Sequence, residues 1–139
     1  MKRRSFLQVA AAQLAAAPLG LGALSACTPP PPLEWRDLAL RAATHFPIDD
    51  LESARIVGAR FLDGVGRDEE QLEAELAPTL ARLEAGAPIE DPETWRAAIR
   101  ADFEAGETRD TGGWVFAATE CHLAALVALF DVGPADLEA

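Results

Sequence analysis

From Leu33 onward the apolar residues recur every three or four positions, the spacing of helices that bury one face. Leu33, Trp35, Leu38 and Ala42 fall near one stripe of a first helix over 33–43. His45-Phe46-Pro47 breaks it, because the residue before a proline avoids the helical region. Asp49, with Glu52 three positions on, reads as the capping box of a second helix. The apolar face of that helix is Leu51, Ala54, Val57, Gly58, Phe61, Leu62 and Val65. A glycine inside a helix costs about 1 kcal/mol relative to alanine, so Gly58 suggests a close approach by a neighbour. Gly64 and Gly66 end the helix. Asp68 opens a third segment, with Leu72, Leu76, Leu80 and Leu83 at spacings of four, four and three. Glu69, Glu70, Glu73 and Glu75 crowd its start, which suits the positive end of a helix dipole. Pro78 is expected to kink or split this segment, and Gly86 to stop it.

Asp91-Pro92-Glu93 is a start signal, a cap followed by proline at the first helical position. Trp95, Ala98, Ile99 and Phe103 share the stripe of the helix that follows, interrupted by Asp102 and closed by Gly106. Glu107 to Gly113 is polar and reads as a loop, and Trp114-Val115-Phe116 as a short extended piece. From Ala118 the helical period returns, with Leu123, Leu126, Val127 and Phe130 facing inward, and Gly133-Pro134 ends it. The sum is an all-α fold: a small single-domain helical bundle of about five segments over residues 33–134. One short strand near Trp114 and a C-terminal tail over 135–139 complete it.

The start of the chain follows a different pattern. Three positive charges, Lys2, Arg3 and Arg4, precede Val9 to Ala26, an uncharged stretch of Ala, Leu and Gly interrupted by Gln13, Pro18 and Ser25. It is too weakly apolar for a permanent span of about 20 residues. A basic head, a modest apolar middle and a small-residue exit describe a signal peptide over residues 1–26. Within it, Arg3, Arg4, Phe6 and Leu7 resemble the twin-arginine export signal, a receptor-read address. Two adjacent guanidinium forks suit a receptor's carboxylates in a way lysine does not. Leu24-Ser25-Ala26-Cys27 resembles the bacterial lipobox, and that resemblance implies cleavage before Cys27 and acylation of it. Each buried CH₂ is worth about 0.8 kcal/mol and one chain anchors poorly; two or three hold firmly. Residues 27–32 then form a lipidated cysteine and tether, with Pro29 to Pro32 favouring an extended polyproline helix. Thr28 is not the aspartate that, by family resemblance, retains lipoproteins at the inner membrane, so the outer membrane is preferred. The partners these signals imply are the twin-arginine translocase, the lipoprotein-processing enzymes and the bilayer itself, reached through Cys27.

Cutting there changes the charge. The whole chain carries −11. Without Lys2, Arg3 and Arg4, nine arginines face all 23 acidic residues, a net −14. Such a surface repels nucleic-acid phosphates and suits basic partners, so no nucleic-acid partner is expected. Only two cysteines occur; with Cys27 acylated, Cys121 has no partner within the chain and a disulfide framework is excluded.

Candidate chemistry is sparse. Glu120-Cys121-His122 is the most reactive-looking cluster, but successive helical residues point about 100° apart and these three diverge. Cys121 with His122, or with the distant His45, remains an alternative reading as a small enzyme or metal-binding domain. The simpler reading makes Cys121 a small buried hydrophobe. Asp49-Asp50 and Glu90-Asp91 each precede a helical pattern, where capping explains them better than acid–base work. There is no nucleophile elbow, phosphate loop or zinc-protease motif. No catalytic residue, cofactor or metal is therefore expected. Of Trp35, Trp95 and Trp114, the last lies beside Arg109 and a glycine-rich stretch, and Arg109 with Trp114 is the candidate partner surface.

Ser53 to Leu62 (SARIVGARFL) and Gly113-Trp114 to Leu126, with the twin-arginine start, resemble the small subunits of periplasmic flavin-dependent sugar and alcohol dehydrogenases. The likeness covers about a third of the mature chain, which is shorter than that family and adds a lipobox. It implies a catalytically silent subunit that escorts a large exported flavoprotein. The expectation is a periplasmic accessory lipoprotein that binds an exported partner; the other alternative is a structural envelope lipoprotein.

Overall fold

A computed structural model of the chain describes residues 30–46, 48–66, 68–85 and 92–139. The export signal, the lipobox with Cys27, the Gly86 stop and the Glu90-Asp91 pair lie outside the described residues. Helix α1 spans Trp35–Ala43 and is followed by a 3-10 turn at Ile48–Asp50. Helices α2 (Leu51–Val65), α3 (Glu69–Glu84) and α4 (Pro92–Ala105) come next. A hairpin of β1 (Thr108–Thr111) and β2 (Trp114–Ala117) leads into α5 (Ala118–Leu129) and a short α6 (Pro134–Glu138). The domain is thus mostly helical, as the periodicity predicts, with the short strand near Trp114 paired into a hairpin. Among the described residues no helix is long and apolar enough to cross a membrane.

Helix α5 is the centre. Nine consecutive or near-consecutive residues from Ala118 to Val127 are buried, so it has no polar face, the pattern of a helix enclosed on all sides. The expected single inward face was too narrow, and Phe130, counted in it, caps the helix half-buried. Helix α2 packs on α5 more extensively than any other pair of elements. Gly58 makes that possible: a Cβ there would stand 2.0 Å from the Ala124 carbonyl oxygen. Leu72, Leu76, Leu80 and Leu83 of α3, Trp35 and Leu38 of α1 and Trp95 of α4 complete the core.

Several local expectations give way. Asp49 does not cap α2. The chain enters that helix through the 3-10 turn, so Asp50 already has helical dihedrals (φ −100°, ψ −1°) and no side chain caps the helix, since capping needs an extended residue. Asp68 does cap α3, accepting from the Gln71 N–H at 3.1 Å. Pro78, expected to kink or split α3, does not split it: the helix runs through it without a break. It and Ala74, whose carbonyl it cannot donate to, are exposed, so water can satisfy that carbonyl. Leu33 and Phe103 sit outside the core, exposed. Asp102, the interruption in the α4 stripe, accepts from the Thr119 N–H at 2.7 Å and so serves the first turn of α5. Glu107–Gly113 is not all loop, because Thr108–Thr111 pairs with β2. Residues 134–138, most of them in the stretch set aside as a tail, add one helical turn.

Candidate functional site

The hairpin turns on Gly112 and Gly113, with φ of 66° and 89°. Two residues at positive φ make the tight turn whose twist matches paired strands. Asp110 Oδ1 accepts from the Gly113 N–H at 2.9 Å and closes it. Thr111 then pairs with Trp114, and Arg109 with Phe116. At the turn, Trp114 is 70% and Val115 59% exposed, two large apolar groups standing in water at a sharply defined position.

A polar cluster holds the base of the hairpin. Arg109 donates Nε–H (2.9 Å) and Nη2–H (2.7 Å) to one oxygen, Glu75 Oε1. The same oxygen lies 3.3 Å from His122 Nε2, and Thr79 Oγ1 lies 2.9 Å from His122 Nδ1. Glu75 and Thr79 are one turn apart on α3 and face the same way. A carboxylate can only accept, so His122 Nε2 carries the proton, Nδ1 is the acceptor, and Thr79 donates to it. Burial works against ionisation of Glu75, yet the hydrogen bonds from Arg109 and His122 and the charge of Arg109 together hold its carboxyl below the usual range. Burial also lowers the His122 pKa, opposed by Glu75, so the imidazole is neutral at neutral pH.

Hydroxyl, imidazole and carboxylate in a row have the parts of a nucleophilic relay. A cleft of about 280 Å³ beside them is lined by Glu75, Arg82, Asp102, Arg109 and His122. Thr79, however, exposes none of its surface and His122 only 4%, so the hydroxyl is closed to a substrate. The cluster acts as a brace between α3, α5 and β1. Cys121 is buried without a disulfide; burial first, then the Glu120 charge, pushes its thiol up to about 11, so it is not a nucleophile at neutral pH. His45 stacks at a tilt on Trp95, ring centroids 4.6 Å apart. Among the described residues no three of His, Cys, Asp and Glu converge as metal ligands do.

The two residues paired as a partner surface therefore sit in different surroundings. Trp114 is presented; Arg109 is turned in and engaged by Glu75. The arginine at the turn is Arg60 of α2, so close that a Cβ on Gly112 would lie 2.9 Å from its Nη1. Neither Arg60 nor the brace has a local signal, since Glu75 and Thr79 meet residues 34 to 47 positions away. Comparison with protein-family models, curated proteins and solved structures finds no match.

Proposed function

We propose that this chain is a membrane-tethered accessory protein, without catalysis of its own, that binds an exported partner through the tip of its hairpin. The observation that carries this reading is the exposure of Trp114 and Val115 on a turn fixed by two glycines and braced by Arg109. Tryptophan and arginine dominate binding hot spots, and a rigid presentation spares the ordering cost of binding. Arg60 beside the turn supplies the second of those residue types. A net charge of −14 after cleavage before Cys27 argues for a partner face that is apolar at its centre and basic at its rim. The twin-arginine start and the likeness to small dehydrogenase subunits support an exported oxidoreductase as that partner, and the lipobox supports a tether at Cys27.

Photo-crosslinking tests the reading. With p-benzoylphenylalanine in place of Trp114 in the full chain, one protein is expected to crosslink in the native membrane fraction. The same group at Asp63, on the exposed side of α2, should leave that protein unlabelled. Equal labelling from both sites, or none from position 114, contradicts it and favours a structural envelope role.

A further inference from the structure

Two walls of one surface cleft run on into the hairpin tip. The cleft, of about 230 Å³, lies between α2, α5 and β2, where Phe46, Ala54, Val57, Phe116 and Ala124 make its surface apolar. Alternate residues of a strand share a face, so Phe116 stands on the same face of β2 as Trp114, about 7 Å along the strand. Val57 and Arg60 are one turn apart on α2 and share a side of it, and Arg60 lies against the turn at Gly112. Either wall, followed out of the cleft, therefore arrives at the tip. Ile56, 49% exposed and one turn before Arg60, adds a further apolar group to this strip.

Size and charge define what fits. The volume is below the roughly 300–1,000 Å³ of small-molecule pockets, so the cleft suits one side chain rather than a whole ligand. Asp50 and Glu120 also line it, and the lining holds no Arg, Lys or His. The Asp50 carboxylate makes no cap to α2. Glu120 has its Oε2 engaged by the Ala117 N–H at 2.9 Å. Among the described residues no arginine forms an ion pair with either carboxylate. Two negative charges beside an apolar surface favour an apolar side chain whose neighbour is basic, and disfavour one whose neighbour is acidic.

We propose that this cleft receives an apolar side chain, flanked in sequence by lysine or arginine, from the same exported protein that Trp114 contacts, so that tip and cleft form one binding strip. That the side chain comes from this protein rests on the reading of the tip given above.

Two capped dipeptides, acetyl-Phe-Lys-amide and acetyl-Phe-Glu-amide, test the chemistry of the cleft on the ¹⁵N-labelled full chain. The lysine peptide is expected to shift the amides of Val57, Phe116 and Ala124 saturably in the millimolar range. The glutamate peptide is expected to bind about tenfold more weakly. Ser53→Trp, at an exposed position of the lining, should block the cleft and abolish the shifts. No saturable shift, or equal affinity for the two peptides, overturns the site, and this wild-type comparison decides even where the variant does not fold. The second arm uses detergent-solubilised native membranes. The protein lost with Trp114→Ala should also fall at least about fivefold with Ser53→Trp. If Ser53→Trp retains that protein, the joined strip is overturned while the reading of the tip stands; if both variants retain it, both fall. Dimerisation of the chain that Ser53→Trp abolishes would make the occupant a second copy and overturn the proposal as well.

Discussion

Gly58 shows how much one side chain decides. Alanine there would gain about 1 kcal/mol in helix propensity, but its Cβ would collide with a backbone carbonyl that no rotamer change can move. Overpacking costs about 1–3 kcal/mol and occasionally more, so Gly58→Ala is expected to lower the urea unfolding free energy by about 2 kcal/mol net; unchanged stability would mean that α2 and α5 are further apart than described. His122 gives a prediction in pH. Its pKa is lower folded than unfolded, chiefly through burial, and His45 is shifted the same way. Below 6.5 the unfolded chain therefore binds protons that the folded chain resists, and stability falls as pH falls from 6.5 toward the folded values. Glu75, depressed when folded, adds a second loss below about 4.5. His122→Gln should flatten the slope between pH 5 and 6.5 while leaving the more acidic limb steep; an unchanged slope would show that His122 does not resist protonation in the folded state.

The elements were legible to different degrees, for physical reasons. The four leucines of α3 and the apolar face of α2 announce themselves through period alone; Gly66 locates the end of α2, while Gly64, also expected there, lies within its last turn. The helical period shows α5, but its burial on all sides is a tertiary fact: its apolar residues leave no polar stripe to orient it. Strand β1 has no clear signal of its own, because Thr108-Arg109-Asp110-Thr111 alternates weakly and is stabilised by its partner strand rather than by itself. The Gly112-Gly113 pair is the clue, since two flexible residues between Thr111 and Trp114, both residue types that favour strands, suit a hairpin. The brace was invisible, its members drawn from α3, β1 and α5. Its role is testable at this scale. Glu75→Gln removes the charge that Arg109 meets, a loss of about 2 kcal/mol for hydrogen bonds to a charged group. Amide exchange should quicken in 108–117 while α2 and the core of α5 stay protected. Uniform acceleration throughout would make the cluster part of the global core rather than a local support for the hairpin.

At the scale of the molecule, an acidic domain presents one sharply placed apolar tip. Association steered by charge weakens with salt, so raising ionic strength should slow partner binding, with the contact of Trp114 itself little affected. The tether belongs to the same picture: labelled palmitate is expected to enter the wild-type chain and not Cys27→Ala, which should leave the membrane fraction. Substituting Trp114, mostly in water, should change stability by less than about 0.5 kcal/mol, so any lost association is a lost contact and not a lost fold. The most direct measurement is the stoichiometry of protein recovered with the full-length chain from detergent-solubilised native membranes, wild type against Trp114→Ala at equal expression. One partner near equimolar ratio with the wild type, falling at least about tenfold with the variant, is the expected result. The same partner at the same ratio on both chains would contradict the account.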